Sequence, residues 1–323
     1  MTHGYIAEGM ARVAAFLPAT ATLEESIARA QTAERIGYDS VWTSQMPDAR
    51  DAPIVLAAYA AATRTLKLGT GVLPIYTRHP TAMAQMAASL DEMSGGRFIL
   101  GIGISHRVTV EAMWGMAITR PVDAMRQYLT IVKASLRDGS ADFEGDQFTA
   151  RWRYSAPRRP DLPIMISALS PKMLELAGEM ADGVVLWMCS PGYIAQQVIP
   201  SVRAGREKAG LSLEGFEVVA VVPACVTPDR AAALDRFRTT VRFYSNLPFY
   251  RKALDAGGFK DQLESGEVSD AMLEELGGVG DEAAVLDAVR RYREAGTTLP
   301  AIMPIEGRFP APGFEATLAA ARA

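Results

Sequence analysis

Eight short apolar runs, separated by segments of helical periodicity, set the frame within which this chain can fold. The runs begin near Arg12 (RVAAFLP), Tyr38 (YDSVW), Leu66 (LKLGTGV), Arg97 (RFILGIG), Pro163 (PIMISA), Gly183 (GVVLWM), Glu217 (EVVAVVPACV) and Leu299 (LPAIMP). Most are nearly continuous Val, Ile, Leu and Met rather than alternating, the pattern of parallel strands covered on both faces. Their brevity and their flanking Gly and Pro set them apart from buried helices. The intervening segments carry helix start and stop chemistry. Thr22 to Ile36 opens on Thr22-Leu-Glu-Glu25, a capping-box pattern, and stops at Gly37. Pro80 to Met93 has Pro in its first turn and ends in Ser94-Gly95-Gly96. Further helical patterns run over Pro53 to Thr63, Val122 to Arg137, Ser170 to Ala181, Ile194 to Ala209 and Asp281 to Ala295.

Successive runs start 26, 28, 31, 66, 20, 34 and 82 residues apart, so five gaps suit a bare strand–helix unit and two are longer. The expectation is one α/β domain over residues 1–323, a (β/α)8 TIM barrel with insertions after strands 4 and 7. The insertions fall at about 105–161 and 227–280; the first contains the strand-like FEGDQF and ARWRYSA, the second a helical piece and an acidic, Gly-rich stretch. A doubly wound open sheet is the competing architecture.

Composition narrows the function classes. Of 323 residues 49% are hydrophobic and 22% charged, which excludes a disordered chain. Thirty-three Lys and Arg against 37 Asp and Glu give a net charge of −4 with no basic block, which argues against a nucleic-acid partner. The charge-free stretch from Gly183 to Val202 is broken by Ser190, Pro191, Gly192, Gln196, Gln197 and Pro200, so it does not read as a membrane span. The N-terminal MTHGYIAEGM does not read as a signal peptide. Cys189 and Cys225 each sit in an apolar run and read as buried, reduced thiols, so the expected compartment is the cytoplasm. His3, His79 and His106 are too scattered for a protein-only metal site.

In such a barrel the chemistry sits where strands end and helices begin. Candidates are therefore Ser44-Gln45-Met46, Gly71-Val72-Leu73-Pro74, Gly103 through Arg107, Ser167 through Ser170, and Trp187-Met188-Cys189. Ser170-Pro171-Lys172 places a hydroxyl, a lysine and free backbone N–H groups at one helix start. That combination makes an anion site, or else an ordinary N-cap with a solvated lysine. Glycines in Gly69-Thr70-Gly71 would let a flat ligand approach the backbone, or form a plain bulge. Gly101-Ile-Gly103 is not a dinucleotide fingerprint, because the third glycine position holds His106. His79, beside Pro80, reads as a cap. His106 directly follows a strand, where a proton donor is useful, although a packing role is open to it. Gln45 is placed to hydrogen-bond a ligand's polar edge or to face solvent.

Taken together, Leu68-Gly-Thr-Gly-Val72, Tyr76-Thr-Arg-His-Pro80 and Leu90-Asp-Glu-Met-Ser-Gly-Gly-Arg-Phe-Ile-Leu-Gly-Ile-Gly103 resemble the luciferase-like monooxygenase superfamily. So do Pro163-Ile-Met-Ile-Ser-Ala-Leu-Ser-Pro-Lys-Met173 and Leu176-Ala-Gly-Glu-Met-Ala-Asp-Gly183. Trp42-Thr-Ser-Gln45, Ser105-His-Arg107 and Glu111-Ala-Met-Trp-Gly115 look like its F420-dependent branch. The resemblance implies a (β/α)8 enzyme, a homodimer, and coenzyme F420, a 5-deazaflavin with a lactyl-phosphate and oligoglutamate tail. By it, Gly71-Val72 would be a non-prolyl cis peptide behind the bent ring. Ser167, Ala168, Leu169, Ser170 and Lys172 would hold the phosphate. Gly103, Ser105 and His106 would lie beside the ring, with Ser44 and Trp187 completing the cofactor set, and His106 and Gln45 would be the catalytic candidates. Relatives often carry His or Asp after the second strand, where this chain has Ser44-Gln45-Met46, and often Gly where it has Leu169-Ser170.

The implied activity is hydride transfer between the deazaflavin and a small, largely apolar organic substrate. Met46, Tyr76, Trp114, Met116, Trp187 and Met188 are the expected walls, and Arg107, Arg151 and Arg153 the candidates for the glutamate tail. The alternatives are an FMN-dependent monooxygenase using reduced flavin and oxygen, and a non-catalytic flavin-binding barrel.

Overall fold

Each of the eight apolar runs is a strand in the computed structural model, which describes residues 12–305 and 312–322. His3 and the N-terminal stretch read above lie outside those residues. The strands are β1 (Ala14–Phe16), β2 (Ser40–Thr43), β3 (Lys67–Thr70), β4 (Phe98–Gly103), β5 (Ile164–Ser167), β6 (Gly183–Leu186), β7 (Glu217–Val226) and β8 (Leu299–Pro304). Each pairs in parallel with the next, and β8 returns to β1 through Ala14 opposite Ala301, so the sheet closes into a barrel. The closed barrel, rather than an open sheet, is the architecture.

The uniform apolarity of the runs now has its cause. Alternate residues such as Phe16, Trp42, Ile99, Met165, Val185 and Val219 fill the barrel interior. Their neighbours, including Val41, Leu68, Leu100, Ile166 and Val184, pack outward under the helices. Both faces of every strand are therefore dry, as a parallel barrel requires. Trp42, fully buried, lies where a Cβ on Gly69 would sit, 2.4 Å from its ring, so this glycine makes room for the indole.

The helix ring follows the sequence signals. In α1 (Leu23–Ile36) the Thr22 hydroxyl accepts from the Glu25 N–H at 3.1 Å while Glu25 accepts from the Thr22 N–H at 2.8 Å. Gly37 ends it in the left-handed region at φ 93°. Then come α2 (Ala52–Ala62) and α3 (Pro80–Ser94), which is capped by His79 and stopped by left-handed Gly95. The His79 ring lies between Thr81 and the Thr149 carbonyl, consistent with a capping role. The ring continues with α4 (Pro121–Asp138), α5 (Pro171–Met180), α6 (Ile199–Lys208), α7 (Glu282–Glu294) and α8 (Pro312–Ala320). A short helix and a π-helical turn, Ile194–Val198, lead into α6.

After β4 the chain makes a π-helical turn, Val108–Met113, and enters α4, which belongs to the ring. An antiparallel hairpin, Ser140–Glu144 with Thr149–Arg153, then packs on α4. After β7 four helices, Arg230–Ser245, Pro248–Leu254, Lys260–Glu264 and Asp270–Leu276, build a second core around Phe237, Leu254 and Leu273. Among the described residues no helix is long and apolar enough to cross a membrane, and no cluster of His, Cys, Asp and Glu could hold a metal ion.

One charge cluster ties the ring together. Arg126 of α4 grips Glu179 of α5 through two bonds of 2.6 and 2.8 Å, and Lys208 of α6 adds a third at 3.1 Å. Arg126 above all, against the cost of burial, lowers the Glu179 carboxyl to about 2 from its ordinary 4.5. Because the folded value is the lower one, the stabilisation is complete above about pH 5 and disappears as pH falls toward 2. With partial solvent screening it amounts to roughly 2 kcal/mol. Glu179→Gln is expected to lose that amount at pH 7 in urea melts and to converge on the parent only at about pH 2; an equal gap at both values would contradict the assignment.

Candidate active site

The ends of β3, β4 and β5 converge at the C-terminal mouth of the barrel. The hydroxyl of Thr70, the last residue of β3, both donates to the Gly101 carbonyl at 2.8 Å and accepts from the Gly101 N–H at 2.7 Å. A side chain here replaces the strand ladder and lets the two backbones pass closely. The next peptide, Gly71–Val72, is cis, as the resemblance implied. Leu73 and Pro74 then rejoin β4 opposite Ile102 and Gly103.

Gly103 marks the floor of the mouth. A Cβ there would lie 2.3 Å from Ser167 Oγ and 2.7 Å from Val72 Cγ2, so the missing side chain lets three strand ends meet. Ser105 follows with φ 66°, a left-handed conformation that is uncommon for a residue with a side chain. It turns the chain into the Val108–Met113 helix, whose first carbonyl acceptor is His106, bonded by Thr109 N at 3.0 Å and Val110 N at 2.8 Å.

The His106 ring is half-buried among tyrosines: its centroid lies 5.6 Å from Tyr250 and 6.3 Å from Tyr244. Burial lowers its pKa below the ordinary 6.5, so the imidazole is neutral at pH 7. Trp187, just past β6, packs edge-on to Tyr244 at 5.5 Å. Trp187 and Val72 border the same barrel-interior cluster, and Trp187 also borders the core of the insertion after β7. The Trp187 indole is a hydrogen-bond partner of the Tyr244 hydroxyl, while the buried Tyr76 Oη has no partner among the described residues.

At the end of β5, Ala168 is buried and the Leu169 carbonyl accepts from the Tyr193 hydroxyl at 2.5 Å, which fixes the loop. Ser170 stands at the N-cap of α5 but its hydroxyl makes no cap bond, and Lys172 is exposed on the first turn. The hydroxyl, the amine and the uncapped helix start are thus all available to an anion.

The remaining candidates lie differently. Gln45 accepts from the Ala52 N–H at 2.9 Å and so caps α2, whose N-cap residue Asp51 makes no such bond. Ser44 beside it is half-buried. Met188, an expected wall, turns at φ 53° into the second core and is buried there. Arg107 pairs with Glu111, and Arg151 with Glu144 at 2.9 Å on the hairpin. Tyr244 and Tyr250, which touch His106, were not among the residues read from sequence. The aromatic enrichment of Phe243-Tyr244 and Phe249-Tyr250 inside the second insertion was the available signal.

Comparison with known proteins agrees with this geometry. A 5,10-methylenetetrahydromethanopterin reductase from Methanolobus tindarius is 35% identical over 204 residues, 63% of this chain and 61% of that protein. The reductase of the same name from Archaeoglobus fulgidus is 33% identical over 213 residues, 65% of this chain and 63% of that protein. The chain therefore spans somewhat under two thirds of the length of these relatives. The structure of the coenzyme F420 dependent tetrahydromethanopterin reductase from Methanopyrus kandleri shares the fold, with a TM-score of 0.82 at 24% identity over 97% of each chain. The family profile described as luciferase-like monooxygenase matches residues 9–299, nearly the whole barrel. With its closed barrel and converging strand ends, the chain belongs to the luciferase-like monooxygenase family.

Proposed function

We propose that this chain is an oxidoreductase that uses coenzyme F420 to move a hydride to or from a small, largely apolar organic substrate. The observation that carries the reading is the cradle at Gly103, where the absence of a Cβ brings Val72 and Ser167 together beside an uncapped helix start. The residues fit the group: a flat ring needs close backbone approach, and a phosphate needs N–H groups, a hydroxyl and a cation. Gly71, Val72 and Gly103 would bear the ring, with Ser44 and Ser105 at its margin. Ser167, Ala168, Leu169, Ser170 and Lys172 would hold the phosphate. Similarity to a Mycobacterium tuberculosis protein named as a putative coenzyme F420-dependent oxidoreductase, 32% identical over 228 residues, supports the F420 choice.

When bound, F420 supplies hydride-transfer chemistry at C5 of its deazaflavin. The protein's part is orientation, water exclusion and proton traffic. The insertion after β7 brings Tyr244 and Tyr250 against His106 and so shields the imidazole from water. A neutral imidazole can take a proton at one nitrogen or give one from the other.

Titration of the purified chain with oxidised F420 and with FMN, read by tryptophan quenching, tests this directly. F420 is expected to bind at least tenfold more tightly than FMN, and Lys172→Ala to weaken F420 about tenfold through loss of one charge-assisted bond. Preference for FMN would overturn the deazaflavin reading and promote a reduced-flavin monooxygenase. Unchanged binding by the variant would move the phosphate elsewhere.

A further inference from the structure

The insertion after β7 has two unlike faces. Its inner face sends Phe237, Leu254 and Leu273 into the second core and sets Tyr244 and Tyr250 against His106. Its outer face is basic and aromatic. Between Arg236 and Leu254 the chain carries five cations, Arg236, Arg238, Arg242, Arg251 and Lys252, and no acid, although its net charge is −4. Arg238 is taken up by Asp235 and Asp270, and Arg251 by Asp255. Arg236, Arg242 and Lys252 are exposed and form no ion pair among the described residues. Large apolar side chains stand beside them: Phe243 is 60% exposed and Phe249 49%. In the helix Arg230–Ser245, Phe243 follows Arg236 by seven residues, so the two share a stripe turned away from the buried Ala233, Phe237 and Val241. In the helix Pro248–Leu254, Phe249 and Lys252 are three residues apart and share a face, while Ala253 and Leu254 are buried.

We propose that this outer face binds the surface of an anionic phospholipid bilayer, with Phe243 and Phe249 entering the headgroup layer and Arg236, Arg242 and Lys252 meeting the lipid anions. Charge complementarity selects this occupant. A neutral apolar partner would cover the phenylalanines and leave three cations unmatched. A soluble polyanion would match the cations and leave the phenylalanines in water. An anionic bilayer offers negative charge and apolar volume side by side, the combination that basic-aromatic helices use to lie on membranes without crossing them. The same two helices carry Tyr244 and Tyr250 at the mouth, so docking would bring the mouth close to a reservoir of apolar molecules. The inference holds whichever cofactor the barrel carries.

Cosedimentation of the full chain with sucrose-loaded vesicles tests it, using phosphatidylcholine alone and an equal mixture of phosphatidylcholine and phosphatidylserine. Each cation near an anionic surface contributes about fivefold in affinity, so the mixed vesicles are expected to bind at least about tenfold more tightly and to release the chain at high salt. Arg242→Glu with Lys252→Glu should abolish the preference. Arg203→Glu, a charge reversal at an exposed residue of α6, should leave it within about threefold. Phe243→Ser with Phe249→Ser should weaken binding to the mixed vesicles about tenfold or more, with the urea melt of the parent retained. Phe249→Trp adds a readout that needs no lost binding: its emission should shift to the blue, beyond any change in the parent, with the mixed vesicles only. Equal binding to both vesicles, no binding to either, full binding by either double variant, or an unshifted Phe249→Trp emission would each overturn the proposal. A dimer in sedimentation velocity that either double variant dissociates would assign this face to a second copy of the chain and overturn the bilayer.

Discussion

Gly101→Ala is expected to abolish the stable fold, whereas Gly103→Ala, two residues along the same strand, folds and loses cofactor. A Cβ on Gly101 would lie 1.9 Å from the Thr70 carbonyl oxygen and 3.1 Å from the Thr70 carbonyl carbon, both backbone. That backbone cannot retreat cheaply, because the Thr70 hydroxyl clamps the Gly101 N–H and carbonyl at 2.7 and 2.8 Å. Relief requires parting β3 from β4, losing both buried bonds and opening the barrel wall, a cost of about 4 kcal/mol or more. At Gly103 the obstacles are side chains, Ser167 Oγ at 2.3 Å and Val72 Cγ2 at 2.7 Å, which can shift by rotamer change. The expected cost there is about 1–2 kcal/mol, but the Cβ then occupies the cradle. Urea melts with F420 titrations on both variants decide the matter: a Gly101→Ala melt within about 1 kcal/mol of the parent would mean that the close approach is not needed.

How much of this was legible in advance depends on the distance over which each cause acts. The α1 box from Thr22 to Glu25 and the stops at Gly37 and Gly95 are local backbone chemistry, so they were readable and are observed. The strands were readable because burial on both faces leaves a compositional mark within a few residues. Gln45 has a partner that no strand-end pattern reveals: seven residues downstream the Ala52 N–H donates to its Oε1 at a helix start where Asp51 makes no side-chain cap bond. Met188 sits next to Trp187 in sequence, yet with φ 53° it is buried in the second core, while Trp187 borders both that core and the barrel interior. Tyr244 and Tyr250 reach His106 across more than 130 positions, a pairing set by how the insertion's own core docks over the mouth. Interactions of that range have no signature in a single chain's spacing.

His106→Asn is expected to lower kcat by about 10²–10⁴-fold with F420 affinity held within about threefold, the span of effect for loss of a placed proton carrier. The pH dependence gives the sharper test. Burial is the cause that lowers the His106 pKa, so the folded chain holds this imidazole neutral at pH values where the unfolded chain, near 6.5, begins to protonate it. Two consequences follow with definite sign. Activity that requires a neutral imidazole as acceptor falls on the acid side with an inflection below pH 6.5, and the asparagine variant lacks that inflection. Stability also falls as pH drops below 6.5, because protonation favours the unfolded state, and the variant lacks that component too. Opening the aromatic cover by Tyr250→Ala should readmit water and move the inflection back toward 6.5, since Tyr250 packs 5.6 Å from the imidazole. Tyr250→Phe keeps the ring and should keep the depressed value. An inflection that ignores both His106→Asn and Tyr250→Ala would assign proton transfer to another group and leave His106 as a packed side chain.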